Sequence, residues 1–290
     1  MSGQQAFHHP EALVGTDWLA GHLRSPGIRV LDASWHLPNS GKTGRAEYER
    51  AHIPGAGFFD IDEIADHASP LPHMMPDATR FARAASALGV GNGTRVIVYD
   101  HVGGGSGAAR AWFMFRAFGH DDVALLDGGL AKWLAEGRTV EAGWTPPRER
   151  PFTANPRGGM VRDLAAMLAN QSSHAEQVID ARARGRFAGT EPEPREGLRR
   201  GHIPGSRNVP WSELLAADKS LLPADRLAKH FTDAGVDLGK PVAASCGSGV
   251  SACLLAFGLY QLGKTDVAIY DGSWAEWGSQ AELPIATGDA

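Results

Sequence analysis

The chain has 290 residues, room for about two domains at roughly 100–200 residues each. Its net charge is −5 and Lys and Arg form no run, so nothing in it provides the basic stripe that nucleic acid needs. No apolar stretch approaches the ~20 residues of a membrane span, and two cysteines, Cys246 and Cys253, are too few for a disulfide framework or a structural zinc site.

The opening, MSGQQAFHHPEALV, carries neither a cationic apolar leader nor an Arg-rich transit pattern, and the expected location is cytoplasmic. RVLDASW (29–35) comes first, an apolar β-branched run closed by Asp. RAEYERAHIPGA follows, then RVIVYD ending at Asp100 and LLDGGLAKW ending at Trp133. QVIDARA, LRRGHIPGS, PVAASC ending at Cys246 and IYDGSWAEW ending at Trp277 then repeat the series in order. His52 and His202, Asp100 and Cys246, and Trp133 and Trp277 each lie 144–150 positions apart. A recurrence of four blocks in one order implies a duplicated domain.

Within each copy, runs such as VLDAS, VIVYD and VALLDGG suit strands buried on both faces of a parallel sheet. Helical stretches, AARAWFMFRAFG and SACLLAFGLYQLG, alternate with them and end in glycine, a left-handed stop. The expected fold class is α/β, two tandem domains of parallel sheet flanked by helices. TPPRERPFTANPRGG, rich in Pro, Arg and Gly, reads as a linker. The expected limits are 1–144, linker 145–159, and 160–290.

The chemistry concentrates in VAASCGSGVSACLLAFG, a strand ending at Ser245, a turn from Cys246 to Ser251, and a helix from about Ala252. Glycines at 247 and 249 let the backbone curl so that successive N–H groups point inward, and the helix N-terminus adds its partial positive charge. Both favour an anion, so the Cys246 thiol is expected to ionise readily and the loop to cradle a negatively charged ligand. A buried small hydrophobe is the competing role for a free cysteine, and it is the one expected for Cys253 inside the helix. A Cys246–Cys253 redox pair is the lesser alternative for it.

These blocks, and the Cys-Gly-Ser-Gly-Val turn above all, resemble the tandem rhodanese family over nearly the whole chain, and within it the 3-mercaptopyruvate sulfurtransferase branch. The resemblance implies two rhodanese folds, of which only the second is catalytic, with Cys246 as nucleophile; Asp100 stands at the equivalent place in the first. It implies a transfer of sulfur from 3-mercaptopyruvate to a thiophilic acceptor (cyanide, a small thiol or thioredoxin) through a Cys246 persulfide, with release of pyruvate. Thiosulfate-preferring members place two basic residues after the Cys, whereas Gly247 and Ser248 are neutral; Ser251 departs from the Thr usual in the branch but keeps the hydroxyl. By the same matching, Gly247, Gly249, Val250 and Ser251 belong to the binding loop. Arg186 and Arg195, in RFAGTEPEPREG, match the substrate-binding stretch, and a guanidinium fork suits the carboxylate of a 2-oxo acid. Asp62 and His73 match residues that reach toward the loop hydroxyl, here Ser248, in an Asp–His–Ser chain similar to the hydrolase relay.

His52 and His202 occupy equivalent places in the two copies, so they are expected to be far apart and structural, and no metal site or cofactor is expected. Gly103-Gly104-Gly105, lacking the Lys and Ser/Thr of a phosphate loop, reads as the first copy's vestigial cradle. Three rivals stand beside the main reading. A thiosulfate:cyanide sulfurtransferase would share fold and nucleophile. A phosphatase would need an Arg six positions after Cys246, where Ala252 stands. A non-catalytic binding module would be easier to accept without the Cys.

Overall fold

Among the described residues, ten short strands pair in parallel throughout and form two five-stranded sheets. The computed structural model describes residues 6–144 and 146–288; residues 1–5 of the opening segment, Thr145 at the head of the expected linker, and residues 289–290 lie outside the described residues. The first sheet uses β1 (Leu13–Val14), β2 (Ile28–Asp32), β3 (Gly57–Phe58), β4 (Arg95–Tyr99) and β5 (Val123–Leu126), in the order β1-β5-β4-β2-β3. The second uses β6 (Val161–Arg162), β7 (Gln177–Asp180), β8 (Arg207–Asn208), β9 (Val242–Ser245) and β10 (Val267–Tyr270), in the order β6-β10-β9-β7-β8. The two orders are one permutation, so the duplication seen in the blocks extends to topology.

The middle strands are buried along nearly their whole length, as unbroken apolar runs require. Val98 pairs with Leu31 and Leu125 across the first sheet, and Ala244 with Ile179 and Ile269 across the second. β4 and β9 lead into the helices Ala108–Ala117 and Ala252–Gln261, whose side chains are almost all buried. Gly119 and Gly263 follow these helices at φ +87° and +85°, the left-handed stop that a side chain would strain.

One apolar cluster spans both units, and each unit has a smaller one of its own. Ala108–Ala117 packs on Ala252–Gln261, Trp112 meets Phe257 edge-on at 5.0 Å, and a single cluster of buried side chains continues from one sheet to the other. At about 1.5–3 kcal/mol for each large side chain buried, this seam fixes the two units against each other. Residues 146–159 contain no helix or strand; Phe152 packs on Phe81 (5.8 Å) and Asn155 N–H donates to Phe118 O (2.8 Å), which ties the stretch to the first unit.

The HIPG turns are scaffold, as expected. His52 Nδ1 contacts Tyr48 O at 2.7 Å and His202 Nδ1 contacts Phe187 O at 2.9 Å, each ring buried and stacked on an aromatic of its own unit. Among the described residues, no helix is long and apolar enough to cross a membrane.

Candidate active site

Cys246 follows directly from β9 and lies at the floor of a cavity of about 300 Å³ between the two units, 1% exposed. The first unit contributes Trp35, His36, His101 and Ser106 to the walls, and the second contributes Arg186, Arg195, Trp211 and the turn from Cys246 to Ser251. Of the residues singled out in the sequence, Cys246, Gly247, Ser248, Val250, Ser251, Arg186 and Arg195 therefore meet in one space. Gly249 does not line it; this residue turns the loop at φ +74°, where a Cβ would press on Asp271 O at 2.8 Å.

The turn is built differently from a plain ring of inward amides. The N–H groups of Cys246 and Gly249 donate to Ser273 Oγ (3.1 and 3.0 Å), which donates to Tyr270 O. Trp274 N–H and Ala275 N–H hold Cys246 O and Gly247 O from the same side. The N–H groups of Gly247, Ser248, Val250 and Ser251 hydrogen-bond to no described residue and remain for a ligand. Ser273 adopts φ +50°, a region a β-substituted residue avoids, and its first-copy equivalent Gly129 adopts φ +55°. Gly247 is not in the left-handed region; its lack of a side chain leaves space for Arg186, whose Nη2 would lie 3.1 Å from a Cβ there, with Arg195 Nη1 at 3.9 Å.

Both arginines thus stand over the turn. Arg186 is held by Glu193, a buried carboxylate with Oε2 at 2.5 Å from Nη2, and Glu193 is itself fixed through Oε1 by Arg182 (2.8 Å). Arg195 lies over the Trp35 ring at 5.9 Å and hydrogen-bonds to no described residue. Burial pulls the pKa of Arg195 down, with Cys246 opposing and Arg186 adding to the shift, yet a guanidinium stays charged. Two cations, one without a carboxylate of its own, face a small cavity and suit an anionic ligand.

From the first unit, His73 reaches across. Its Nδ1 is 2.9 Å from Ser248 Oγ and its Nε2 is 2.9 Å from Asp62 Oδ1, so the sequence-expected chain Asp62–His73–Ser248 is assembled. The ring is used the opposite way round from a serine hydrolase, where Nε2 faces the serine. Trp35 Nε1–H donates to Asp62 Oδ2 at 3.0 Å. Burial raises the Asp62 pKa, but the hydrogen bond and charge of His73, the indole N–H and Arg195 outweigh it and hold the carboxyl below its ordinary value. His73 stands at φ +61°, a strained setting fixed by Arg110, whose Nη2 donates to His73 O (2.6 Å) and to Asp271 Oδ1 (2.7 Å).

The first copy's counterpart loop, two residues longer between strand and helix, is filled by its own acid. Asp100 occupies the place of Cys246, and its carboxylate accepts the N–H groups of Val102, Gly104, Ser106, Gly107 and Ala108 at 2.8–3.1 Å. Five amides thus converge on one side-chain carboxyl, the arrangement of an inward-facing amide nest. Cys253, by contrast, is a core thiol: its Sγ contacts Gly249 O at 3.2 Å, and burial pushes its pKa up to about 12.

Sequence reasoning missed Ser273, Glu193, Trp35, Arg110 and Asp271. A signal existed for Ser273, since the first copy's Asp-Gly-Gly becomes Asp-Gly-Ser in the second. The Arg110–Asp271 pair joins residues 161 positions apart and left no local trace.

Residues 15–136 and 160–280 each match the rhodanese-like domain. The chain is 45% identical over 287 residues to 3-mercaptopyruvate sulfurtransferase of Rattus norvegicus, covering 97% of this chain and 96% of the relative. It is equally 45% identical over 276 residues to thiosulfate sulfurtransferase of Cricetulus griseus, covering 93% of each, so overall identity does not separate the two donors. The crystal structure of SseA from Escherichia coli, described among 3-mercaptopyruvate sulfotransferases, superposes with TM-score 0.83 at 41% identity, covering 91% of this chain and 98% of that one. The chain belongs to the rhodanese family, with two rhodanese-like domains in tandem.

Proposed function

We propose that this protein transfers the sulfur of 3-mercaptopyruvate to a thiophilic acceptor through a persulfide on Cys246. The observation that carries the reading is a single thiol at the floor of an interdomain cavity, beneath two guanidinium groups and beside the Asp62–His73–Ser248 chain. The donor's carboxylate lies against Arg186 and Arg195. The Cys246 thiolate attacks the donor sulfur, the S–S bond forms, and the C–S bond breaks to leave the enolate of pyruvate. The unpaired amides of Gly247, Ser248, Val250 and Ser251 stabilise developing negative charge without rearrangement. Ser248 delivers a proton to the enolate carbon; His73, which enters as an imidazolium balanced by Asp62, restores the hydroxyl from Nδ1, is left neutral and regains its proton from solvent before the next turnover. Cyanide, a small thiol or reduced thioredoxin then attacks the outer sulfur and releases the Cys246 thiolate, which makes the scheme ping-pong.

The loop favours mercaptopyruvate over thiosulfate. A Cβ at position 247 would lie 3.1 Å from Arg186 Nη2, so a basic side chain there would crowd and repel that guanidinium; the charge over the turn is instead that of Arg186 and Arg195, which suit a carboxylate. In this reading the unit 160–290 is catalytic. The unit 1–144 is silent, because Asp100 cannot carry a persulfide, but it supplies Asp62, His73 and Trp35, with 145–159 as the linker. A reducing compartment, the cytoplasm, keeps both cysteines as free thiols.

The test is steady-state sulfur transfer to cyanide from 3-mercaptopyruvate or thiosulfate, with wild type and Cys246→Ser. The expected result is a strong preference for mercaptopyruvate that Cys246→Ser abolishes. Preference for thiosulfate would overturn the donor assignment, and transfer by the mutant would overturn the nucleophile.

A further inference from the structure

The histidines expected to be structural, His52 and His202, belong to separate units, but two others meet at the wall of the cavity. His36 lies just beyond β2, His101 directly follows Asp100 beyond β4, and Glu47 lies on the helix Gly44–Arg50. One ligand atom from each falls within 4.8 Å of the other two. The imidazoles stack with centroids 4.2 Å apart at 27°, and His36 Nε2 is 2.7 Å from Glu47 Oε2.

The details suit a cation better than a packing role. Glu47 Oε1 is engaged by Lys42 Nζ (3.2 Å) and Arg50 Nη2 (3.5 Å), whereas Oε2 faces His36. Ser106 Oγ gives its proton to Trp35 O and lies 3.4 Å from His101 Nδ1. With Nδ1–H donating there, Nε2 of His101 keeps its lone pair, the kind of outer hydrogen bond that orients a metal-binding imidazole. The duplication supplies a control. The second-copy equivalents of His36, Glu47 and His101 are Arg184, Gly197 and Gly247, so the fold itself does not require these three side chains.

We propose that His36, Glu47 and His101 form a binding site for a divalent transition-metal ion of the zinc class, beside the cavity over Cys246. Two imidazoles and a carboxylate supply three ligands and leave a further position open, the donor set that zinc accepts. The site lies outside the sulfur-transfer reading and stands or falls separately from it.

The experiment is titration of the full chain with zinc chloride, followed calorimetrically, using wild type, Cys246→Ser and Glu47→Gln, with cobalt(II) absorption as a second probe. The expected result is one ion per chain in wild type and in Cys246→Ser, with affinity lowered at least about tenfold in Glu47→Gln. The cobalt adduct should show no thiolate-to-metal charge-transfer band. Equal affinity in Glu47→Gln, loss of the ion in Cys246→Ser, or a thiolate band would overturn the proposal. Thermal melts in chelator check that each variant is folded, and His36→Gln replaces Glu47→Gln if the latter is not.

Discussion

At the scale of single residues, the turn that carries Cys246 depends on a serine outside it. Ser273 Oγ collects two amide protons of the turn, and the left-handed backbone at 273 is what aims it there. Ser273→Ala keeps the backbone strain and removes the acceptor, leaving the Cys246 and Gly249 N–H groups buried without a partner at about 1–3 kcal/mol each. The expected outcome is kcat for mercaptopyruvate reduced about tenfold or more with KM little changed, since Arg186 and Arg195 remain in place. A KM effect alone, measured in the same steady-state assay, would mean that Ser273 does not organise the turn. The residue scale is also where legibility was uneven. Cys246, its glycine-flanked turn and the neutral pair after it were readable because the motif is contiguous. Glu193, which fixes Arg186, sat within a quoted stretch but looked like one more acid of an exposed loop; only folding reveals its side chain as 2% exposed and shared by two arginines.

Among elements, the two equivalent strand–loop–helix units differ in what fills the loop. After β4 an internal carboxylate, Asp100, satisfies the amides; after β9 the corresponding amides are left for a ligand. Alternating apolar runs and terminal glycines made the strands and both central helices legible. They could not announce how the helix Ala108–Ala117 meets the catalytic turn. Arg110, 1% exposed, projects from that helix and binds His73 O, Asp271 and Gly249 O (3.3 Å), while Asp271 Oδ2 accepts Met75 N–H (2.6 Å). This clasp ties the segment 73–75 to the turn. Replacing one partner of a buried ion pair strands the other, so Arg110→Met is expected to lower stability by about 3–5 kcal/mol in denaturant titration. Near-neutral stability would show that the pair's desolvation cost already offsets its attraction.

For the whole molecule, duplication explains both the economy of the fold and its division of labour. Each unit repeats one sheet order, yet the hydrogen-bonded chain proposed as a relay lies across their seam, with Asp62 and His73 on one side and Ser248 on the other. Repeat spacing in the sequence revealed two copies; it could not say which surfaces face each other, because the apolar residues of the seam are also those of an ordinary core. The central claim is that sulfur rests on Cys246 between two half-reactions. The most direct measurement is mass spectrometry of the protein after mercaptopyruvate is added without acceptor, with pyruvate counted in the same sample. The expected result is one added sulfur atom on the peptide containing Cys246, one pyruvate per chain, and neither in Cys246→Ser. Pyruvate release with an unmodified Cys246, or sulfur found on Cys253 instead, would contradict the account.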